Sequence, residues 1–372
     1  MALLSCLALM AAFPAPDLEG LARNDLAAKL GLQPAEVRVV ESKPVTWPDG
    51  SLGLPRPGEM ATMALVPGAL LTLEAKGRRF RYAAGGSAVK YGGPIELDRF
   101  SLLYLEPNER DANLNGNLMR CSVAGTNPQT VLSGVSSFEP GGKGRVLATR
   151  RTSRSGFELW LADGRSGQAR RLHAASSYGP LALDDQGSRW ATVARARIGG
   201  GWDVVVGDAS KGAAQTLDGP EGALIDRLAF HNGELTARSG RSWWLRTEAG
   251  WEKVGTEPSE YDERGWMMLN RSFSLSVSTA KGKDGAPETV VEKTHFSGGS
   301  TPVAKIAGLE FRRMEPLAGG WILVCGRRGE QDEAWLVQID AGWTLPCLRG
   351  RLGSVRALDL PAPQPKPVAD RP

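Results

Sequence analysis

Several residue types are scarce in this chain of 372 residues, and each scarcity argues against a class of protein. The sequence holds only 3 His and 4 Cys, without CxxC, HxH or HExxH spacing, so neither a metal site nor a cofactor is expected. No apolar run reaches the roughly 20 residues that span a bilayer. Lys plus Arg number 45 and Asp plus Glu 41, and the net charge of +4 is too small for a dedicated nucleic-acid-binding protein.

Glycine, proline and tryptophan are the residues that stand out. The chain has 46 Gly, 24 Pro and 11 Trp, a composition that favours many short strands joined by turns over long helices. The hydrophobic fraction of 41% and the charged fraction of 23% are typical of a globular protein. The length allows one large domain or two ordinary ones. We therefore expect a mainly β protein.

The first 16 residues have the pattern of a signal peptide. MALLSCLALMAAFPAP is apolar and ends in prolines, which predicts export to the periplasm or secretion. No Lys or Arg precedes Arg23, so a buried first helix is the alternative. Leu3 to Cys6 also resemble a bacterial lipobox, which would make the protein a lipoprotein.

Three cysteines remain if this leader is removed. Cys121, Cys325 and Cys347 are an odd number without a regular spacing, which favours ordinary buried thiols. A disulfide between Cys325 and Cys347 is the alternative in an oxidising compartment.

Residues 17–90 predict a small α+β domain. Leu18, Leu21, Leu26 and Leu30 recur at near-helical spacing, and Gly31 is a C-terminal stop signal. Short alternating segments then predict an antiparallel sheet packed on this helix. The predicted strands are Val37–Val40, Met60–Val66, Ala69–Ala75 and Arg78–Ala83.

Three segments of this region carry a resemblance. LARNDLAAKLGL, PVTWPDGSLGLPRPG and LLTLEAKGRRFRY, within residues 20–83, resemble a small uncharacterised bacterial domain. Its usual form has Cys where this chain has Leu54, so thiol chemistry is not expected here. The order of helix and hairpin is also similar to PepSY-type exported domains, which implies an inhibitor carried on a support as one alternative function.

The remainder of the chain, residues 91–360, repeats. Each of six units has a strand, a loop rich in Gly or Ser, a second strand, a turn and a third strand, and the units follow one another every 39 to 47 residues. Such a period with strand patterning alone predicts propeller blades. We expect a six-bladed β-propeller and place the middle of each second strand at Met119, Trp160, Val205, Trp244, Val291 and Leu336. The Trp residues in or beside these strands are expected to pack in the core.

One unit carries a signature. GPLALDDQGSRWATV, Gly179 to Val193, resembles the P-x-x-S-P-D-G-x-x-L-A-F pattern of TolB-type propellers, which also occur in prolyl oligopeptidase-like enzymes. Pro180, Asp185, Gly187 and Trp190 match, and Asp184 stands where the pattern has Pro. Asp185 and Gly187 are expected to form the turn between two strands. The resemblance implies an envelope protein as partner.

Basic residues recur at the end of the first strand in five units. The candidate binding residues are Arg151, Arg154, Arg195, Arg197, Arg238, Arg241, Arg327 and Arg328, and Arg150, Lys281 and Lys283 occupy the same loops. These loops share one face of a propeller, so their charges would form a positive ring for an acidic peptide or an anionic glycan. The alternative is pairing with loop acids. The candidates are Glu221, Asp226, Glu257, Glu260, Asp262 and Glu263.

No catalytic constellation accompanies these arginines. A prolyl oligopeptidase-like activity needs an α/β-hydrolase domain with a G-x-S-x-G elbow, and the repeats leave too little chain for one. His173, His231 and His295 fall in different units. We therefore predict a monomeric, non-catalytic binding or scaffold protein, with a glycosidase or lyase in the propeller channel as the alternative. The end of the chain, residues 361–372, is rich in proline and predicts a disordered tail.

Overall fold

The structure is a computed structural model, and it describes most of the chain. The described residues are 16–108, 115–153, 156–196, 201–211, 213–220, 224–240, 242–254, 261–262, 266–269 and 272–360. The proline-rich tail, and all of the predicted signal peptide except Pro16, lie outside them. Among these residues, no helix is long and apolar enough to cross a membrane. The chain forms two compact units: residues 16–54 with 59–92, and residues 55–58 with 93–360.

The first unit begins with the predicted helix, which is confirmed as α1, Leu18–Leu30. The Asp17 carboxylate accepts a hydrogen bond from the Gly20 N–H at 2.8 Å and caps the first turn. Gly31 ends the helix in the left-handed region, with φ at 66°. The buried face consists of Ala22, Leu26, Ala27 and Leu30.

A four-stranded antiparallel sheet completes this unit, in the order β1-β2-β3-β4. The strands are β1 Val37–Trp47, β2 Val66–Ala75, β3 Arg78–Gly85 and β4 Ala88–Pro94. The strand predicted at Met60–Val66 is wrong, because β2 begins only at Val66. The Thr62 carbonyl accepts from the N–H groups of Gly50 and Ala64, both at 3.0 Å. These bonds form a loop that leaves Met60 and Met63 97% and 93% exposed.

The second unit consists of successive antiparallel sheets in which strands pair in chain order. The first sheet has seven strands, ordered β10-β9-β8-β7-β6-β5-β28. Its strands are β5 Phe100–Pro107, β6 Gly116–Ser122, β7 Gln129–Pro140, β8 Arg145–Ser153, β9 Gly156–Asp163, β10 Ala169–Ala175 and β28 Val355–Asp359.

The other sheets of the second unit have four or five strands each. One contains β11 Ser177–Leu183, β12 Arg189–Arg195, β13 Asp203–Asp208 and β14 Ala214–Leu217. The next contains β15 Arg227–His231, β16 Glu234–Ser239, β17 Ser242–Thr247 and β18 Gly250–Val254. The third contains β19 Tyr261–Asp262, β20 Trp266–Met268, β21 Phe273–Lys281, β22 Pro287–His295 and β23 Ser300–Ala307. The last contains β24 Glu310–Pro316, β25 Trp321–Arg328, β26 Gln331–Gln338 and β27 Trp343–Gly350.

Strand β7 belongs to two meanders. Its first half pairs with β6 as far as Val135, and its second half pairs with β8 from Val135 onward. The final strand, β28, returns to pair with β5, the first strand of the unit, from Val355 opposite Tyr104 to Asp359 opposite Phe100. Successive antiparallel meanders closed by pairing of the last strand with the first define a β-propeller.

The cores of the second unit lie between consecutive sheets. One cluster joins Leu161 and Leu183 with Trp190, and the next joins Val193 and Leu228. The six predicted strand centres all lie in strands, namely Met119 in β6, Trp160 in β9, Val205 in β13, Trp244 in β17, Val291 in β22 and Leu336 in β26.

The turn between β11 and β12 uses Asp184, the residue that departs from the TolB-type pattern. Its carboxylate is buried and accepts from the N–H groups of Ser188 and Arg189 at 2.7 and 3.1 Å. Gly187 adopts a φ of 63° in this turn. A side chain at Gly187 would also collide with the Gly142 carbonyl, which lies 2.6 Å from the position of a Cβ. Glycine is therefore required at this position.

Candidate functional site

Strands from several sheets of the second unit surround one cavity of about 1000 Å³, which we call the channel cavity. Residues from β28, the second half of β7, β11, β15 and β24 line it. Its walls carry charges of both signs, including Lys143, Asp185 and Arg227. A propeller has its central channel in this place, so the channel cavity is the natural site for a ligand.

A four-residue ion cluster lines this cavity. Arg356 donates through both terminal nitrogens to the Glu139 carboxylate, at 2.8 and 2.6 Å. Its Nε also contacts Glu315, whose other oxygen accepts from the Ala357 N–H at 2.7 Å. Arg313 Nε lies 3.0 Å from Glu315. The cluster therefore binds β7, β24 and β28 together and neutralises its own charges.

Burial sets the electrostatics of the cluster. Loss of water raises the pKa of Glu139, and the guanidinium groups of Arg356 and Arg313 act in the opposite direction. The side chains of Arg356 and Glu315 are only 12% and 9% exposed. Charge-assisted bonds in such surroundings are strong, and breaking one leaves a buried charge without a partner.

The candidate arginines within the described residues are Arg151, Arg195, Arg238, Arg327 and Arg328, which we call the hairpin arginines. Arg154, Arg197 and Arg241 lie outside the described residues. Each hairpin arginine lies near the end of the second strand of a meander, and Lys281 ends β21, the third strand of its sheet.

Aromatic rings in the following strand, or just before it, contact several hairpin arginines. The guanidinium of Arg195 lies 4.5 Å from the centre of the Trp202 ring. Arg151 lies 5.7 Å from Phe157, its cross-strand partner. Arg238 and Trp243 are likewise partners at 5.7 Å, and Arg328 lies 5.9 Å from the Trp335 ring. Such cation–π contacts fix the orientation of long side chains.

Two hairpin arginines also form ion pairs. Arg238 Nε lies 2.7 Å from Asp226, one of the acids that the sequence suggested as a partner. Arg328 Nε lies 3.0 Å from Glu333, which is buried and also contacts Arg349 at 3.3 Å. Glu333 was not among the predicted partners. These ion pairs therefore hold the side chains of Arg238 and Arg328 against neighbouring parts of their own sheets.

Arg195 and Arg327 differ from these two. Within the described part of the chain, neither guanidinium has a carboxylate partner, and the Nε of each is buried without a hydrogen bond. Arg195 in β12 and Arg327 in β25 each lie six positions after the first residue of the strand. Arg151 has the same position in β8. Arg195 and Arg327 therefore present cations that the acids of the described residues do not neutralise.

Sequence reasoning missed the ion cluster, although a signal for half of it exists. Glu139 and Glu315 each precede a proline, in FEPGGKG and MEPLAGG, at the end of β7 and β24. Each Glu-Pro pair comes before a glycine turn and the next strand. Aligning the repeats on this Glu-Pro motif would have placed Glu139 and Glu315 at equivalent positions.

The cysteines do not form the disulfide considered above. Cys121, Cys325 and Cys347 are free thiols. Cys325 lies in β25 and Cys347 in β27, with β26 between them. Two strand spacings separate their backbones by about 9 to 10 Å, which exceeds the reach of a disulfide.

Comparison with known proteins adds similarities to both units. Residues 20–90 match the family described as a domain of unknown function, DUF8738. No curated protein sequence matches the chain. TolB from Acinetobacter baumannii has a similar structure, with a TM-score of 0.49 and 11% identity over 90% of this chain and 85% of that one.

Two similar structures come from proteases. The β-propeller domain of the Trilobed protease from Pyrococcus furiosus has a TM-score of 0.38 and 9% identity, covering 68% of this chain and 81% of that chain. The acylaminoacyl peptidase of Pyrococcus horikoshii has a TM-score of 0.36 and 10% identity, covering 68% of this chain and 45% of that one. The assignment as a β-propeller rests on the strand pairing described above.

Proposed function

We propose that this protein is an exported, non-catalytic binding protein. In this proposal a small α+β domain, residues 17–90, precedes a six-bladed, TolB-like propeller, residues 91–360. The propeller binds an acidic segment of an envelope protein through the hairpin arginines. An anionic glycan is the alternative ligand of the same surface.

The observation that supports this proposal is the pair of unneutralised cations, Arg195 and Arg327. Within the described residues, neither has an acid partner, whereas Arg238 and Arg328 do. Stacking on Trp202 orders Arg195 before any ligand arrives, which lowers the entropy cost of binding. Arginine also binds carboxylates through two parallel hydrogen bonds, which favours an acidic partner.

Binding of a labelled acidic peptide tests the proposal directly. Fluorescence anisotropy with fluorescein-labelled deca-glutamate measures affinity for the full chain and for a triple variant, Arg151→Ala, Arg195→Ala and Arg327→Ala. We expect at least about tenfold weaker binding by the variant, because three cations leave the surface. The matched control removes the same charge at exposed positions, with Arg38→Ala, Arg170→Ala and Arg351→Ala.

The two triple variants should differ in their affinity for deca-glutamate if the proposal holds. The control should keep its affinity within about threefold, because its arginines act only through net charge. Equal weakening in both triples would show a general charge effect and contradict a specific surface. A partner captured from the cell envelope by the native chain and the control, but not by the first variant, would then identify the physiological segment.

A second candidate function is a glycosidase or lyase in the channel cavity. The observation that favours it is the pair of carboxylates, Glu139 and Glu315, within one cavity, together with the raised pKa of Glu139. Against it stands the engagement of both carboxylates by Arg356. Release of reducing sugar or unsaturated products from acidic and neutral glycans, abolished by Glu139→Gln, would favour the enzyme.

A further inference from the structure

A second cavity of the propeller unit, about 620 Å³ in volume, shares no lining residue with the channel cavity, and no hairpin arginine lines it. Its walls come from residues 218–220, which follow β14, and from the β17–β18 hairpin. The side chains that matter are Asp218, Trp244, Arg246 and Trp251. We call this site the Trp cleft. Its volume is that of a small-ligand site.

The two indole rings are held in place. Trp251 Nε1 donates to the Asp218 carbonyl at 2.7 Å, which ties β18 to the segment after β14. Trp244 and Trp251 both pack against the apolar cluster that includes Val204 and Leu228. Lys253 lies 5.9 Å from the centre of the Trp244 ring. The rings therefore form a preorganised wall.

Two charged side chains share the Trp cleft without neutralising each other. Arg246 is the cross-strand partner of Trp251, and its Nη1 lies 3.8 Å from the position a Cβ would take on Gly250. Within the described ranges, the Arg246 guanidinium forms no ion pair or hydrogen bond, and neither does the Asp218 carboxylate. Relative to the rest of the described chain, Arg246 thus has donors to offer a ligand, and Asp218 has acceptors.

This combination defines the chemistry of a ligand. The face of an indole ring carries partial negative charge and attracts the C–H groups of a saturated ring. A guanidinium selects a carboxylate, and a carboxylate accepts from hydroxyl groups. A neutral sugar has no carboxylate for Arg246, and a simple aromatic acid such as benzoate has no hydroxyl group for Asp218. We propose that the Trp cleft binds an acidic saccharide whose pyranose ring stacks on tryptophan and whose carboxylate binds Arg246.

Isothermal titration calorimetry of the full chain tests this assignment. The probe is trigalacturonic acid, and maltotriose is the neutral trisaccharide of the same size. We expect trigalacturonic acid to bind at least about tenfold more tightly than maltotriose, because a bidentate charge-assisted contact is added. The variant Arg246→Met should lose at least about tenfold in affinity for the acid only. Asp218→Asn should weaken both sugars.

Control variants keep the result interpretable. Arg170→Met removes an exposed arginine elsewhere in the propeller and should leave the affinity unchanged. Trp251→Phe keeps a ring but loses the bond to Asp218, and thermal unfolding reports whether each variant is folded. The proposed function has a separate readout, the affinity of the Arg151→Ala, Arg195→Ala and Arg327→Ala variant for deca-glutamate, so either idea can fail without the other.

Three outcomes would overturn the inference. The first is absence of heat with trigalacturonic acid in the native chain. The second is equal affinity for maltotriose, or an unchanged affinity in Arg246→Met. The third is competition by deca-proline at lower concentration than the sugar, which would assign the tryptophans to an extended peptide.

Discussion

Arg356 donates to both carboxylate oxygens of Glu139 across 217 positions of the sequence, at 2.8 and 2.6 Å. Arg356 lies in β28, the last strand, and Glu139 ends β7. Because Arg356 also contacts Glu315 in β24, one side chain joins strands from three parts of the propeller. The cluster therefore secures the return of the chain to the seven-stranded sheet.

Replacement of Arg356 should destabilise the propeller strongly. Arg356→Met leaves Glu139 and Glu315 as partly buried carboxylates without their main partner, and we expect a loss of about 3 kcal/mol in the free energy of unfolding. Glu139→Gln should cost less, about 1 to 2 kcal/mol, because Arg356 keeps Glu315. Urea unfolding followed by tryptophan fluorescence measures both values.

An exposed ion pair provides the control for this comparison. Arg38 Nη2 lies 2.8 Å from Glu74, but the Arg38 side chain is 70% exposed. Water screens such a pair, so Arg38→Met should change stability by at most about 0.5 kcal/mol. A loss in Arg356→Met no larger than in Arg38→Met would contradict the role given to the cluster.

Two buried tyrosines should respond differently to removal of the hydroxyl group. Tyr82 donates to the Asp25 carboxylate at 2.7 Å and so ties the first sheet of the chain to α1. The hydroxyl of Tyr104 is buried, and no partner for it lies within the described residues. We expect Tyr82→Phe to cost about 1 kcal/mol and Tyr104→Phe to be neutral or stabilising.

Hydrogen exchange measured by mass spectrometry separates the two tyrosine variants by region. Amides of α1 should exchange about fivefold faster in Tyr82→Phe, because 1 kcal/mol corresponds to that ratio. Amides of β5, which contains Tyr104, should be unaffected in Tyr104→Phe. Faster exchange in β5 would show that the Tyr104 hydroxyl has a stabilising partner after all.

Local patterns explain why many elements could be predicted from the sequence. A strand can be recognised from residues close in sequence, because apolar residues alternate along it and glycines bound it. The predicted strand centres Met119, Trp160 and Leu336 accordingly each lie in a strand. The helix end at Gly31 was predictable for the same reason. The segment Met60–Val66 also alternates, but without a neighbouring strand its alternation buries nothing, and Met60 is exposed.

The ion cluster could not be predicted, because it depends on contacts between distant strands. Arg356 shows no local motif, and it meets Glu139 only after β28 pairs with β5. The partner of Arg328 has a similar origin. Glu333 becomes buried between Arg328 and Arg349 through the pairing of β26 with β25 and β27. Residue type alone does not reveal such partners.

His173 should make stability depend on pH. Burial lowers the pKa of His173 below its ordinary value, and its Nδ1 lies 2.9 Å from the Tyr178 hydroxyl. In the unfolded chain, His173 binds a proton near pH 6.5, whereas in the folded chain it does so only at lower pH. The free energy of unfolding therefore falls as the pH drops below about 6.5. In His173→Gln, the loss of stability between pH 7.5 and 5.5 should be smaller. Urea unfolding at both pH values measures this, and an unchanged pH dependence would contradict it.

The three described thiols should react slowly in the folded protein. Burial raises the pKa of Cys121 and of Cys325 to about 12, and it also raises the pKa of Cys347. At pH 8 so little thiolate is present that labelling should be on the order of a thousandfold slower than for a free cysteine. A Cys6→Ser variant limits the count to these thiols.

Labelling with a chromogenic disulfide reagent, before and after unfolding in urea, measures these rates. Three thiols should appear on unfolding, because none is paired in the folded chain. Ser300→Cys, at an exposed position, is the control that should react at once. Rapid labelling of Cys121 in the native state would contradict its burial. A Cys325–Cys347 disulfide mapped by mass spectrometry would contradict the order of β25, β26 and β27, because their spacing holds the two sulfur atoms apart.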